Sequence, residues 1–341
     1  IKPGKMGWDH VVIIAGHIDS RVSDVMDFTK DAPGANDDGS GSALVIEAAR
    51  VFAKWGTEHE ATLVFALLSG EEQGLMGGRL LAETAKERGW KVSAMLNNDI
   101  VGGTVGTDGR KIDNVVRVFS EGIRASEDLP GQLARRNSGG EDDGPSRSLM
   151  RYAKSVGTPG PLRVFGVRRP DRFGRGGDHL PSLELGFPAI RFTVGVENYH
   201  HQHQDLRTEN GIEYGDTVDK MDFDYLAKVT RLNITTAAHL SLAPPAPASA
   251  TLGGAVSSDT KVSWTPVKGG GVIGYQIYTR SADDQEWSRG AFVEGAEAGS
   301  LDGRDVDEHI LVAGRRPNEP VPFCGIEPFD GALLHRRSPS L

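Results

Sequence analysis

The chain has 341 residues, 38% of them hydrophobic, a formal charge of −9 and one cysteine, Cys324. That length and apolar content allow one large domain and a smaller one. The acidic balance argues against nucleic acid as a partner, since phosphate binding draws on a clustered excess of lysine and arginine, and a lone cysteine excludes an intrachain disulfide and any cysteine-built zinc site, so a metal would be held by His, Asp and Glu. No apolar run reaches the roughly 20 residues needed to cross a bilayer, and no charged-then-apolar leader opens the chain. The first core strand lies only a few residues after Ile1, which sets the expectation that an upstream segment is missing.

In chain order, "VVIIAG" (11–16) reads as a buried strand. "SGSALVIEAARVFAKW" (40–55) follows as a helix with Leu44, Ala48, Val51, Phe52 and Trp55 on one stripe and Ser40 or Gly39 as its cap. "TLVFALLS" (62–69) is a second strand, "GLMGGRLLAETAKERG" (74–89) a helix ended by Gly89, and "SAMLNND" (93–99) a third strand. A helix from Pro145, strands "RVFGV" (163–167) and "PAIRFTV" (188–194), and a long amphipathic helix over 222–242 complete this part. Strands alternating with helices, several without period-two polarity, indicate an α/β sheet buried on both faces. "APPAPASA" (243–250) has the composition of a linker. Beyond it, "TKVSWTPV" and "GYQIYTRS" alternate with period two, predicting a small all-β domain over 251–341 in which Trp264 and Tyr275 are placed as in fibronectin type III sandwiches. Arg315–Leu341 fits no strand pattern.

Open α/β sheets bind ligands at the carboxyl ends of their strands, and the residues there are acidic or histidine. The first strand leads to His17 and Asp19, the second to Glu71 and Glu72, the third to Asp99, and the strand ending at 194 to "ENYHHQHQD". Asp37 and Asp38 precede the first helix. Taken singly, an aspartate there is a cap, Asp99 a turn former and a histidine-rich loop solvated. Their coincidence on one rim, with oxygen and imidazole donors and no thiolate, fits zinc or a similar divalent ion. At least two imidazoles and three carboxylates exceed the three protein ligands of a single catalytic zinc, which favours two ions with a short aspartate between them.

The ordered set "GHIDS", "PGANDDGSG", "SGEEQGLMGG", "NND", "GGDHLPSLELGFPAI" and "HHQHQD" resembles the co-catalytic di-zinc aminopeptidases, a family related to glutaminyl cyclases and glutamate carboxypeptidase II, over about residues 8–242. The resemblance implies a mixed, mostly parallel central sheet with helices on both faces, two zinc ions and peptide substrates with a free N-terminus. It implies that His17 and Asp99 hold one zinc, Glu72 and His201 the other, and that Asp37 bridges them. Glu71 would be the general base and Asp19 would orient His17. His201 follows from counting four residues back from Asp205, with His200 and His203 as the alternatives. Asp178 and His179 match a further motif near the site, and Asp37–Asp38 resembles a peptide bond that is cis in the family. The stretch "RVSDVMDFTKDA" is longer than the compact family pattern and is expected to form a flap. Secretion or a periplasmic location accords with the resemblance. The rival readings are a single-zinc cyclase, a carboxypeptidase of the same fold, an inactive binding ectodomain and a two-metal phosphoesterase.

Overall fold

The computed structural model describes residues 1–315 except 138–139, 159, 245, 254–258, 268–271, 282–283, 295–299 and 305–307. Cys324 and nearly all of the Arg315–Leu341 segment lie outside the described residues. Two compact units form: Ile1–Glu121 with Leu149–Leu242, and Gly122–Ser148 with the described residues of Ala243–Leu341. The second unit thus takes in 122–148 as well as the chain after Leu242.

The first unit is built on six strands, β1 (Val11–His17), β2 (Thr62–Leu68), β3 (Val92–Asn98), β4 (Val115–Ser120), β5 (Arg163–Val167) and β6 (Ala189–Val194), in the spatial order β2-β1-β3-β6-β4-β5. β1 pairs parallel with β2 and β3, and β3 with β6. β4 runs antiparallel to β6 and parallel to β5. The sheet is therefore mixed and mostly parallel, and the carboxyl ends of β2, β1, β3 and β6 share one rim. β4, "VVRVFS", is absent from the strands expected above; Arg117 interrupts its apolar run, and it bears on the site through that residue.

Side chains alternate across a strand, and β1 shows what each face meets. Val11, Ile13 and Ala15 join Val64, Ala66, Leu68, Ala85, Trp90 and Leu183 in one buried cluster, which brings in α2 (Met76–Glu87) and α5 (His179–Glu184), the last a six-residue helix. The other face carries Val12 and Ile14, fully buried, and is met by α1 (Gly39–Lys54) and α6 (Phe223–Leu242). On α1 the buried residues include Leu44, Val45, Ala48 and Phe52. Its cap is Asp38, whose side chain accepts from the Gly41 amide, rather than Ser40 or Gly39. A short hairpin, β7 (Arg207–Glu209) and β8 (Ile212–Tyr214), follows the histidine loop.

In the second unit, β9 (Ala248–Gly253), β10 (Asp259–Thr265) and β13 (Ser300–Arg304) form one antiparallel sheet, and β11 (Gly274–Ser281), β12 (Ser288–Glu294) and β14 (Glu308–Arg315) a second. Trp264 from the first sheet and Tyr275 from the second lie with ring centroids 5.1 Å apart in a core with Val262 and Ile277. β9 begins inside the stretch read as linker, so that stretch ends at Pro247.

Candidate metal centre

β1 ends on His17, whose ring is 1% exposed. Its Nδ1 donates to the Asp19 carbonyl at 3.0 Å, which directs Nε2 into the cluster. The Asp19 carboxylate lies 3.7 Å from Nδ1 and accepts from the amides of Glu71 at 3.3 Å and Glu72 at 3.1 Å. Asp19 therefore braces the glutamate loop as well as the imidazole. The Glu71 carbonyl accepts from Gly74 and Leu75, which closes the turn leading to α2.

Asp37 is positioned by two buried carboxylates on either side of it. Asp216, Oδ2, accepts from the amides of Asn36 at 2.9 Å and Asp37 at 2.7 Å. Asp38 accepts from Gly41 at 2.9 Å, Ile100 at 3.2 Å and His17 at 3.0 Å, so one side chain caps α1 and ties the ends of β1 and β3 together. A Cβ on Gly41 would fall 2.2 Å from the Asn98 carbonyl, so only glycine lets the helix start this close to β3. The Asp37–Asp38 peptide bond is cis.

With its backbone held, Asp37 points one oxygen at each of two histidines. Oδ1 lies 3.3 Å from His17 Nε2, and Oδ2 lies 3.0 Å from His203 Nε2. His203 Nε2 is also 3.2 Å from Glu72 Oε2. His17, Glu71 and Asp99 offer donor atoms within 4.8 Å of one another, as do Asp37, Glu72 and His203. His17 Nε2, Asp37 Oδ2 and Glu72 Oε1 are buried without hydrogen-bond geometry to any partner despite these approaches. Donor atoms crowded without hydrogen bonds are what a cation needs and what folding alone disfavours.

The residues expected at the centre are thus brought together, with one correction. His203 stands in the cluster and His201 does not. The count from Asp205 fails because Asp205 is a surface residue, 2.7 Å from Lys30 Nζ and accepting from the Ser23 amide. The buried aspartate beneath Asp37 is Asp216, beyond the β7–β8 hairpin. His203 adopts φ +54, a left-handed conformation uncommon for non-glycine residues. His201 lines a separate cleft of about 900 Å³ with Lys220 and Glu213, where burial and then Lys220 lower its pKa. His200 meets Tyr214 edge-on at 5.1 Å between centroids. Only the Asp216–Thr217 pair offered a sequence signal, a second aspartate after the histidine loop. The 21–32 stretch is fastened to the histidine loop by the same Lys30 and Ser23 contacts.

The electrostatics describe a site short of positive charge. Burial, then Asp99, raises the Glu71 pKa to about 8; burial likewise raises Glu72 and Asp38. Burial opposes protonation of His203, but Asp37 and Glu72 outweigh it and raise it to about 9. His17 is raised too, its burial overcome first by Asp38 and then by Asp19 and Asp37. Protons on the imidazoles thus balance the carboxylates, and a divalent cation would displace them.

Behind Asp99 lies a second set of buried charges. Arg191 on β6 is fully buried, with Nη2 2.9 Å from Asp99 Oδ2 and Nη1 2.8 Å from Asp171 Oδ1. Arg172 reaches Asp171 at 3.1 Å and Glu197 at 2.7 Å, and Arg117 pairs with the other Glu197 oxygen. Burial alone would raise both acids. Arg191, His179 and Arg172 instead hold Asp171 at about 2, and Arg172 and Arg117 hold Glu197 at about 2. His179 Nε2 donates to the Pro170 carbonyl at 2.8 Å and so braces this loop. Asp178 accepts from the Gly78 amide at 3.0 Å, fixing the first turn of α2; burial pushes its carboxyl up to about 6.

The model of peptidase family M28 matches residues 1–221, and the chain belongs to that family. A probable zinc metalloprotease of Leptosphaeria maculans is 43% identical over 284 residues, covering 82% of this chain and 65% of the relative. Another, of Pyrenophora tritici-repentis, is 40% identical over 283 residues, covering 82% and 58%. The chain thus spans about three fifths of the length of these relatives. The solved structure of LapB from Legionella pneumophila aligns with a TM-score of 0.50 at 21% identity, over 71% of this chain and 53% of that one, a likeness of fold. Among the described residues no helix is long and apolar enough to cross a membrane.

Proposed function

We propose that the chain is a zinc-dependent aminopeptidase that binds two ions and uses Glu71 as general base. The observation that carries this reading is Asp37 presenting one carboxylate oxygen to His17 and the other to His203, with Asp99 and Glu71 grouped beside the first histidine and Glu72 beside the second. An oxygen-and-imidazole set with no thiolate fits zinc. The residues that would hold it are His17 and Asp99 on one side, Glu72 and His203 on the other, and Asp37 between. When bound, zinc supplies Lewis-acid polarisation of the scissile carbonyl and lowers the pKa of a coordinated water towards about 7.

Everything else falls to the chain's own side chains. Glu71 shares a cleft of about 420 Å³ with Asp37, Glu72, Asp99 and His203. Its carboxylate is free to take a proton from water and return it to the leaving amine. Asp19 accepts from the amides of Glu71 and Glu72 and so fixes the backbone from which the two glutamates project. Among the acids lining the cleft only Glu71 is not assigned to metal, so its carboxylate is also the group that would receive the ammonium of a free N-terminus.

Replacing Glu71 by Gln should lower kcat on a leucyl amide by about 10²–10⁴-fold while two zinc ions per chain remain by metal analysis. N-acetylated peptides should resist cleavage. Near-full activity of the variant removes Glu71 from the base role. One ion per chain in the active protein would overturn the paired-ion reading, and equal cleavage of acetylated peptides the exopeptidase reading.

A further inference from the structure

The cleft that holds the carboxylates is also lined by arginines. We propose that Arg21, Arg172 and Arg175, which line the same cleft as Glu71, Glu72 and Asp99, form a subsite for a carboxylate of the substrate, so that preferred peptides carry an acidic group close to the scissile bond. This inference rests on the peptidase reading above and names its substrate class.

Arg172 is the built part of the subsite. Its side chain is 8% exposed, and two edges of the guanidinium are anchored, Nε on Asp171 and Nη1 on Glu197. Its Nη2 is buried with no hydrogen-bond partner. A guanidinium is a planar fork of five donors that matches a carboxylate through two parallel N–H bonds, and a buried donor left unmade is costly unless something arrives to accept from it. The surrounding network holds more guanidiniums than carboxylates. Arg117, Arg172 and Arg191 face Asp171 and Glu197, and the remaining acid, Asp99, belongs to the metal cluster.

The other two guanidiniums come from different stretches of chain. Arg175 has no carboxylate partner among the described residues. Arg21 gives Nε to the Val22 carbonyl at 3.0 Å and Nη2 to the Ser23 carbonyl at 2.6 Å, which orients it without cancelling its charge. Arginines that serve only solubility are normally solvated or paired across the surface; here one is buried, two are uncompensated, and all three line one concavity. The acids lining the cleft are assigned to metal and to the base role, which leaves the guanidiniums to complement a substrate carboxylate. The carboxylate has two sources in a peptide, an Asp or Glu side chain and the C-terminus of a short chain.

The test uses the zinc-loaded full chain and two matched substrate pairs. Glutamyl against glutaminyl 4-nitroanilide probes a side-chain carboxylate; a tripeptide against its C-terminal amide probes the terminus. In at least one pair the charged member should have a kcat/KM about tenfold higher or more, as a charge-assisted bond implies. The gain should reside in KM, shrink as salt is raised, and fall towards unity in Arg21→Gln and Arg175→Gln. The pair that discriminates identifies the source. Equal rates within both pairs, or a preference untouched by both substitutions, would overturn the subsite while leaving the peptidase reading intact. Failure to cleave all four substrates would overturn the peptidase reading itself.

Discussion

Two sets of buried charges lie back to back in the first unit, and they solve the same problem in opposite ways. The Arg117–Glu197–Arg172–Asp171–Arg191 set pairs guanidinium with carboxylate at nearly every contact, so each acid is held near pH 2 and what is left over on folding is guanidinium donors, Arg172 Nη2 among them. The His17–Asp37–Glu71–Glu72–Asp99–His203 set is crowded with acids whose donors approach without hydrogen-bonding. Burial costs a charge several kcal/mol unless it is paired. The first set meets that cost internally, and the second leaves it for a cation to offset. Asp99 belongs to both, one oxygen facing Arg191 and the other His17. A buried ion pair thereby fixes the orientation of a carboxylate in the acidic cluster.

Breaking the self-paired set should cost stability whether or not metal is present. Arg191→Met leaves Asp171 with the Arg172 guanidinium alone and takes the guanidinium from Asp99, and loss of one partner of a buried pair costs about 3–5 kcal/mol. Urea unfolding in the presence of a chelator should show that loss; an unchanged midpoint would mean the network adds nothing. The metal cluster should respond the other way, through metal. His203→Ala should weaken zinc binding about a hundredfold or more, beyond the 10–100-fold typical of groups that only support a ligand, and should abolish most of the rise in melting temperature that zinc confers on the parent chain. His201→Ala should leave both nearly unchanged. Competition with a calibrated chelator decides between the two histidines, and a reversed order would restore the expectation from spacing.

The smallest effect sharpens the contrast through pH. Glu197 is depressed from 4.5 to about 2 by Arg172 and Arg117 against its burial. Its contribution is therefore fully present above about pH 4.5, where the unfolded carboxylate is ionised, and is lost as pH falls through the folded value of about 2. Between pH 5 and 3 the chain should lose about 2 kcal/mol from this group alone, and Glu197→Gln should flatten that dependence. Equal slopes for parent and variant would separate Glu197 from the acid response.

Where the sequence reading succeeded, the pattern was local. "VVIIAG", "TLVFALLS" and the stripe Leu44, Ala48, Phe52 declare a buried strand or a helix face through their own periodicity, and the residues just past parallel strands fall on a common rim whatever the rest of the fold does. That is why His17, Asp19, Asp37, Glu71, Glu72 and Asp99 were legible as a group. Arg117 breaks the apolar run of β4, and that arginine is half-buried against Glu197, a partner that no local pattern announces. The assignment of 122–148 to the second unit has no local marker.

The amino-acid sequence by itself determined five of the sheet's six strands, the rim and the chemical type of the donors, because strand polarity and residue identity need no partner to be read. Only the tertiary structure decided which histidine joins the cluster, since a two-stranded excursion between Asp205 and Asp216 carries the supporting aspartate eleven residues further on. It alone also set Arg191 against Asp99 and three arginines around one cleft. Charge pairing across distant segments depends on distance in space, which spacing along the chain does not encode.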